Sequence, residues 1–459
     1  MLSYLPMEFT HRTYEKGQTI AAVATPPGVG GIAVIRIAGD HALDVADRIF
    51  SGPIHKYQTH TAHFGSILDL EGKIIDEGMV LVMKNPKSYT GEDTVEIHCH
   101  GGTLITRKVL EAAFAAGARP ALPGEFTFKA FQNGKIDLTR AEAVQEIIAS
   151  KSELAWQAAE NHLEGKLYER ITTFQKRLTT ITAILEAWVD FPEEGLEFAS
   201  KEELLSDLQN LKEDMSALHN SFHDGKLLST SFSLCLLGAP NVGKSSLMNA
   251  LTGKDRAIVT HIPGTTRDIL EEEVQIAGLT FRLIDTAGIR ETDEIVELEG
   301  VRRSHKAAKN ADLILLVFDV TQPSPISIDL PEKKTIAIWN KIDLDHSPLP
   351  DLPFSHQVQL SAKEGLGIAS LKEAIHRVVW HEDPPSKEEV ILTNERHYQA
   401  LGASIKALTT VIQGLSTSIS PEFLVSDMRL ALKELGTIIG MNITEEVLSA
   451  IFSKFCVGK

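Results

Sequence analysis

The sequence predicts an α/β plus all-α fold, in which a doubly wound α/β domain is inserted into a helical bundle and preceded by a mixed α+β N-terminal domain. Between residues 232 and 380, strand patterns alternate with helical patterns, as in parallel sheets with crossover helices. Apolar residues recur at helical spacing on both sides of that segment. We assign a loose extension to 1–18, the N-terminal domain to 19–133, helical parts to 134–228 and 381–459, and the α/β domain to 229–380.

Composition narrows the function classes. The 459 residues carry a formal net charge of −17, which disfavours a general nucleic-acid coat because phosphate binding needs clustered lysine and arginine. An RNA bound at a local basic patch is compatible with that charge. The three cysteines give no disulfide framework, and we find neither a signal-peptide pattern nor an apolar run long enough for a bilayer. We therefore expect a cytoplasmic protein with no membrane contact.

The N-terminal domain mixes strands with one helix. Strands are predicted at 20–24, 32–37, 80–83 and 94–98, a glycine-rich loop at 25–31, and a helix at 104–116 ended by Gly117. Arg36 interrupts the second strand. A cation there is compatible either with an ordinary edge position or with an anionic ligand.

The run His98-Cys99-His100 has the composition of a metal site. On a strand, His98 and His100 share one face and Cys99 points to the other. No second cluster in the sequence completes four ligands, so we favour a structural or ligand-lining role over zinc.

Long apolar stripes define the helical parts. Their core residues are expected to be Leu163, Leu167, Ile171, Phe174, Leu178, Ile181, Leu185 and Trp188, then, after a break at 190–195, Leu204, Leu208, Leu211, Met215, Leu218 and Phe222 up to Gly225. Two more stripes follow residue 385, and Thr444 is predicted to cap a last helix. We expect an inserted domain of this kind to pass motion to the bundle.

The α/β domain is predicted to contain strands at 232–237, 272–276, 279–284, 313–318, 334–339 and 356–360, with a hairpin turn at 277–278. Residues 238–245, Gly-Ala-Pro-Asn-Val-Gly-Lys-Ser, lie between the first strand and a helical pattern. That context is typical of a P-loop, whose backbone N–H groups and helix N-terminus hold phosphate. Lys244 would reach the β- and γ-phosphates and Ser245 would bind Mg2+.

The run Asn340-Lys341-Ile342-Asp343 indicates the base. A carboxylate after this strand can accept from the ring N–H and the exocyclic amine of guanine, whereas adenine would leave Asp343 without donors. The run Ser361-Ala362-Lys363 fits a loop behind the base. An ATP-using P-loop enzyme is therefore disfavoured.

Two further motifs lie between the P-loop and the base motif. Residues 285–288, Asp-Thr-Ala-Gly, follow a strand, so that the Asp can reach Mg2+ through water and the Gly N–H can contact the γ-phosphate. Residues 264–268 form a polar loop in which a Thr can complete the Mg2+ site only when the γ-phosphate is present. Four such motifs in this order predict a GTPase.

Ile289 stands where Ras-like enzymes carry a water-positioning Gln, so Arg290, Glu291 and Glu297 remain alternatives for that role. Asn241 suggests a monovalent cation beside the phosphates.

The chain resembles the tRNA-modification GTPase family called MnmE or TrmE. The motifs that carry the resemblance are Ala24-Thr25-Pro26-Pro27-Gly28, Pro123-Gly124-Glu125-Phe126, Asp190-Phe191-Pro192-Glu193-Glu194, the GTPase set and Cys456-Val457-Gly458-Lys459. The resemblance implies a Ras-like G domain, a folate-binding and dimerising N-terminal domain, and a homodimer acting with an MnmG-like FAD protein. It implies addition of an aminomethyl or carboxymethylaminomethyl group at carbon 5 of the tRNA wobble uridine, with the one-carbon unit from 5-formyl-tetrahydrofolate or a related folate.

The resemblance also implies site residues. Glu297 would orient the hydrolytic water, and K+ would support pairing of G domains across the dimer. GTP-binding positions are Asn241, Val242, Gly243, Lys244, Ser245, Ser246, Thr260, Thr265, Thr266, Asp285, Thr286, Ala287, Gly288, Asn340, Lys341, Asp343, Ser361, Ala362 and Lys363. Mg2+ would be held by Ser245 and Thr266, K+ by Asn241, Thr260, Ile262 and Thr265, and folate by Arg36, Glu96, Lys135 and Lys459.

The chain departs from the family pattern at Val29 and Cys99, where Arg and Gly are usual, which affects the details of the folate pocket. The alternative function is a ribosome-assembly GTPase that binds ribosomal RNA without modification chemistry. Such proteins usually append a basic RNA-binding module, which the sequence does not contain.

Overall fold

The computed structural model of the chain describes residues 17–190, 200–229, 231–252, 273–276, 278–284, 308, 311–322, 330–345, 349–350, 352–380, 386, 388–417 and 419–459. These residues divide into two compact units. The first contains the described residues of 1–148, 162–211 and 403–459, and the second contains those of 149–161 and 212–402.

A six-stranded sheet forms the N-terminal part of the first unit, in the order β3-β4-β5-β2-β1-β6. Its strands are β1 (Ile20–Val23), β2 (Ala33–Ala38), β3 (Thr61–Leu68), β4 (Ile74–Met83), β5 (Thr94–Cys99) and β6 (Arg119–Pro120). Neighbours are antiparallel except for the parallel pair β1 and β6. The four predicted strands are therefore present, although β4 begins earlier than predicted.

The two faces of this sheet differ in character. Helices α1 (Ala42–Ile49) and α2 (Thr103–Ala115) contribute to the same apolar core as Ile35 and Ile97. The alternate residues Arg36, Glu96 and His98 point to the other face, because successive strand residues alternate in direction. The predicted helix is confirmed as α2. Strands β3 and β6 and helix α1 were not predicted. Most residues of β3 are partly exposed, and the strand lacks a clean apolar alternation.

Eleven further helices are described, some in the first unit and others in the second. They are α3 (Glu125–Gln132), α4 (Leu138–Ala149), α5 (Glu153–Glu164), α6 (Lys166–Asp190), α7 (Lys201–Asn220), α8 (Phe222–Ser229), α9 (Lys244–Thr252), α10 (Ile368–Trp380), α11 (Glu395–Ser416), α12 (Pro421–Ile439) and α13 (Glu445–Phe452). Helix α6 packs along α12, and its predicted stripe from Leu167 to Leu185 is buried. The Thr444 side chain accepts from the Val447 N–H at 3.5 Å, which confirms the predicted cap of α13.

Two details of the helical prediction are wrong, and both concern glycine. The stripe does not run continuously from Leu163, because Gly165, with φ of +95°, separates α5 from α6 and leaves Leu163 38% exposed. Gly225 does not end a helix but lies inside α8, where a side chain would overlap the Leu392 carbonyl oxygen. Close packing therefore accounts for that glycine, and α8 continues to Ser229.

The second unit contains the other sheet, in the order β12-β11-β10-β7-β9-β8. Its strands are β7 (Phe232–Leu237), β8 (Glu273–Ile276), β9 (Leu279–Ile284), β10 (Leu313–Asp319), β11 (Thr335–Asn340) and β12 (His356–Gln359). All pairs are parallel except β8 with β9, which the predicted hairpin joins at Gly278. Separate apolar clusters cover the two faces, so β10 and β11 are buried throughout. Among the helices described, none is long and apolar enough to cross a bilayer.

Candidate functional site

The glycine loop at 238–243 lies at the carboxyl end of β7 and leads directly into α9. Gly238 and Gly243 have φ of +150° and +95°, and Asn241 has φ of +63°. A side chain at Gly238 would approach the Val317 carbonyl oxygen to 2.5 Å, and one at Gly243 would overlap the Asn340 amide. Both glycines are therefore required by close backbone approach, as a phosphate cradle demands.

Lys244 is the first residue of α9 and points back over the loop. Its Nζ donates to the carbonyl oxygens of Gly238 and Ala239, at 2.8 Å each. Burial lowers the pKa of the Lys244 ammonium, so an anionic partner would favour its charged form. Ser245 and Ser246 follow in the exposed first turn of the helix. Phosphate oxygens at the helix N-terminus would replace the two carbonyl acceptors of Lys244.

Asn340 joins the glycine loop to the base-side loop. Its Nδ2 donates to the Val242 carbonyl oxygen at 2.8 Å, and its Oδ1 accepts from the Ala362 N–H at 3.0 Å. The side chain is buried, with 2% of the residue exposed. One buried amide therefore fixes both loops at the same edge of the sheet.

The remaining base-motif residues follow β11. Lys341 has φ of +68° and places its Nζ 2.5 Å from Asp319 Oδ2, at the end of the neighbouring strand β10. Burial alone would raise the pKa of Asp319, but hydrogen bonds from Lys341 and Thr321 lower it below its ordinary value. Asp343 is exposed in the turn after Lys341 and is free of steric cover. Its carboxylate is thus accessible to a base.

Several predicted positions lie outside the described residues. They are Thr260, Ile262, Thr265, Thr266, Asp285, Thr286, Ala287, Gly288 and Glu297. The described part of β9 ends at Ile284, which pairs in register with Cys235 of β7. The predicted Mg2+ and K+ sites therefore have only Ser245 and Asn241 among described residues, both exposed beside the loop.

A second cluster lies on the polar face of the N-terminal sheet. Arg36 Nε donates to Glu96 Oε1 at 2.8 Å, across the β2–β5 register, and its Nη1 donates to the Gly458 carbonyl oxygen at 3.1 Å. The guanidinium carbon lies 5.5 Å from the centre of the Phe126 ring. Arg36 is therefore held on three sides, which argues against an ordinary edge position.

Lys459 belongs to the same cluster. Burial and the neighbouring Arg36 charge lower the pKa of its ammonium, while Glu96 acts in the opposite direction. Gly458 has φ of +97°, and a side chain there would overlap the Val23 carbonyl oxygen. The tail thus approaches β1 closely, and three of the four predicted folate residues come together.

Lys135, the fourth predicted folate residue, has different contacts in the same unit. Its Nζ donates to the Pro86 carbonyl oxygen at 3.1 Å. It lines an open cavity of about 600 Å³ together with Asp40, Asn85 and Asn133. Beside that cavity, Lys129 and Glu92 form a buried ion pair of 2.8 Å. The Lys135 contacts are not shared with Arg36 or Glu96.

Cys99 points away from His98, as predicted, whereas His100 lies beyond the end of β5 and is not shown to share a face with His98. Cys99 is buried in the apolar core, and burial together with Asp76 raises the pKa of its thiol to about 11. The exposed His100 places Nδ1 2.8 Å from Asp76 Oδ1, whereas His98 lies beside Glu96 on the polar face. The two histidines therefore lie beside different carboxylates.

Comparison with known proteins identifies the family of this chain. Residues 19–135 match the family model described as the GTP-binding protein TrmE N-terminus, and residues 138–456 match that of the MnmE helical domain. The chain belongs to the MnmE (TrmE) family of tRNA modification GTPases.

Curated members of the MnmE family align along their full length. The tRNA modification GTPase MnmE of Protochlamydia amoebophila (strain UWE25) is 59% identical, covering 99% of this chain and 100% of that protein. The protein of the same name from Chlamydia trachomatis serovar L2 is 43% identical, covering 97% and 100%. A solved structure, the FeoB G-domain from Methanococcus jannaschii, is 29% identical and covers 33% of this chain and 99% of its own, with a TM-score of 0.25.

The sequence analysis of this MnmE-family chain did not predict three contacts. They are the double role of Asn340, the Lys341–Asp319 pair and the approach of His98 to Glu96. The pairing of Asp319 with Lys341 could have been predicted, since Asp319 is a polar residue that ends an apolar strand next to the base-motif strand. No sequence signal indicated the link from Asn340 to Val242, which lies 98 residues earlier in the chain.

Proposed function

We propose that this chain is the GTP-hydrolysing component of a cytoplasmic system that modifies the wobble uridine of tRNA at carbon 5. The observation that supports it most is the coupling of the phosphate loop to the guanine-motif strand through Asn340. A site built in this way binds base and triphosphate together. The names of the curated MnmE relatives support tRNA as the substrate of the complete reaction.

The deciding experiment compares wobble uridines in tRNA from a deletion strain and from the same strain carrying the gene. Mass spectrometry of nucleosides should show an aminomethyl-type group at carbon 5 only when the gene is present. Identical uridines in both strains, together with a defect in ribosomal subunits, would instead support the ribosome-assembly alternative. Equal profiles in both assays would remove the proposal altogether.

The one-carbon donor and the FAD-containing partner are part of this proposal. Arg36, Glu96 and Lys459 provide cations and a carboxylate in one half-buried cluster, which suits a folate with its polar ring and acidic tail. Lys135 shares no contact with that cluster among the described residues and would contact a different portion of the ligand. When bound, the folate supplies the one-carbon unit, and an MnmG-like FAD protein supplies the redox chemistry.

Replacing Glu297 with Ala should leave GTP affinity within a few fold of the wild type while hydrolysis falls by about a hundredfold or more. The reason is that Ile289 cannot orient water, and the resemblance to the MnmE family implies that Glu297 has this role. Single-turnover GTP hydrolysis and binding of a fluorescent GTP analogue would measure the two quantities. Glu291→Ala is the matched control and should retain hydrolysis; loss of GTP binding in Glu297→Ala would indicate a structural role.

GTP turnover should be faster in K+ than in Na+, by about tenfold or more. A monovalent cation beside the exposed Asn241 would supply the positive charge that an arginine finger supplies in other GTPases. Steady-state phosphate release at constant ionic strength, with K+ exchanged for Na+, measures the effect. The Asn241→Ala variant should lose the difference between the salts, whereas equal rates for the wild type would exclude a cation of this kind.

The homodimer of this proposal is expected to involve the edge of the N-terminal sheet. Phe64 of edge strand β3 is 71% exposed and pairs directly with Met79 of β4, which is 43% exposed, so both occupy one face. The double variant Phe64→Glu with Met79→Glu should convert dimers to monomers in sedimentation velocity, because two charges would be buried unpaired. Leu430→Glu, also on an exposed apolar residue, should stay dimeric. A dimer that survives the double variant would exclude this surface.

A further inference from the structure

The polar face of β5 carries a histidine whose hydrogen bonding is incomplete. Glu96 and His98 are two residues apart on this strand, so their side chains project in the same direction. Glu96 Oε1 accepts from Arg36, and Glu96 Oε2 lies 3.7 Å from His98 Nε2. That separation exceeds a hydrogen bond, so the two groups face each other without bonding.

His98 Nε2 is a buried polar atom with no hydrogen-bond partner among the residues that the structure describes. Such atoms are rare in folded proteins because a buried donor or acceptor without a partner is destabilising. The ring as a whole is not sealed, since 29% of the side chain is exposed. Rotation of this partly exposed side chain would bring the nitrogen, which is buried in this conformation, to a ligand that enters beside Glu96, and the ligand would then complete its hydrogen bonding.

The charges around His98 define the ligand chemistry. Arg36 comes from β2, Lys459 from the C-terminal tail, and Glu96 from the same strand, while Asp76 on β4 is engaged by His100. Glu96 Oε2 has no hydrogen bond from Arg36 and can accept from an N–H or amino group. Next to it, His98 Nε2 can donate to a ring nitrogen or carbonyl oxygen in the tautomer that carries the proton on this atom. The pair matches a heteroaromatic ring edge with adjacent donor and acceptor groups.

We propose that His98 is a ligand-binding residue of the Arg36–Glu96 site, and that its Nε2 hydrogen-bonds the pterin ring of the folate. This inference rests on the proposed folate site and adds the residue that recognises the ring, as distinct from the acidic tail. Arg36 and Lys459 are suited to bind carboxylates, whereas Glu96 and His98 together hydrogen-bond the edge of the ring. Removing the hydrogen bond at His98 therefore affects folates that contain the ring and spares fragments that lack it.

The test uses the full chain and two probes, 5-formyltetrahydrofolate and p-aminobenzoylglutamate, which keeps the tail but has no pterin. Calorimetry should show that His98→Leu weakens 5-formyltetrahydrofolate binding by roughly tenfold or more, while the fragment binds as to the wild type. His98→Gln keeps a polar side chain and should retain binding within about threefold. His41→Leu is the matched control, because His41 forms an exposed pair with Asp44 away from β5 and should change neither affinity.

Wild-type affinity of the folate for His98→Leu would overturn the inference. Equal loss of both probes, with a lowered melting temperature, would also overturn it, because the histidine would then be structural. If the wild-type protein binds neither probe, the proposed folate site fails and this inference fails with it. That outcome differs from selective failure, in which the wild type binds the folate and His98→Leu binds it equally well.

Discussion

Replacing Asp343 with Asn should change the base preference from guanine to xanthine, with GTP affinity falling by about a thousandfold or more. The carboxylate accepts from both the ring N–H and the exocyclic amine of guanine. An Asn amide offers one acceptor and one donor, so its NH2 would face the guanine amine without an acceptor. Xanthine carries a carbonyl oxygen in place of that amine and restores two hydrogen bonds.

Competition of GTP, ATP and xanthosine triphosphate against a fluorescent nucleotide measures this exchange directly. The wild type should prefer GTP, and Asp343→Asn should prefer xanthosine triphosphate while its melting temperature stays unchanged, since Asp343 is exposed. Glu364→Gln is the control, because it neutralises an exposed carboxylate in the loop behind the base and should keep GTP preference. A variant that still selects GTP would show that Asp343 does not contact the base.

The order of strands and loops in the second unit could be predicted because short-range patterns in the sequence determine it. The apolar run before Gly238 predicts β7, and the position of Asn340 after a buried strand predicts that it lies at the same sheet edge. Parallel pairing through β7, β10 and β11 brings these strand ends together. The sequence therefore predicted which loops meet, without predicting which atoms bond.

Contacts between distant positions could not be predicted from spacing. Arg36 bonds the Gly458 carbonyl oxygen over a separation of 422 residues, and no periodicity links them. Family resemblance grouped Lys135 with Arg36, and no spacing in the sequence predicts the hydrogen bond from Lys135 to the Pro86 carbonyl oxygen or the cavity that Lys135 lines. Gly225 shows the same limit, because only the approach of the Leu392 backbone explains a glycine within a helix.

The Asn340→Asp variant should lose GTP binding by between about two and four orders of magnitude, because a buried charge without compensation costs about 3–5 kcal/mol. Oδ1 would still accept from the Ala362 N–H, but the second oxygen would face the Val242 carbonyl oxygen, where Nδ2 now donates at 2.8 Å. Two acceptors in contact repel each other, so the glycine loop would be released from the base-side loop. A protonated carboxyl would bond both partners, so binding should recover partly on acidification.

Hydrogen–deuterium exchange of residues 238–246 and equilibrium binding of a fluorescent GTP analogue would measure the loop and the affinity separately. Faster exchange with weakened binding is expected for Asn340→Asp, and both effects should be smaller for Asn340→Ala, which introduces no charge. Asn249→Asp makes the same chemical change at an exposed position of α9 and should leave both quantities near the wild type. If Asn340→Asp exchanged more slowly, or bound GTP as the wild type does, the coupling of the two loops through this amide would be wrong.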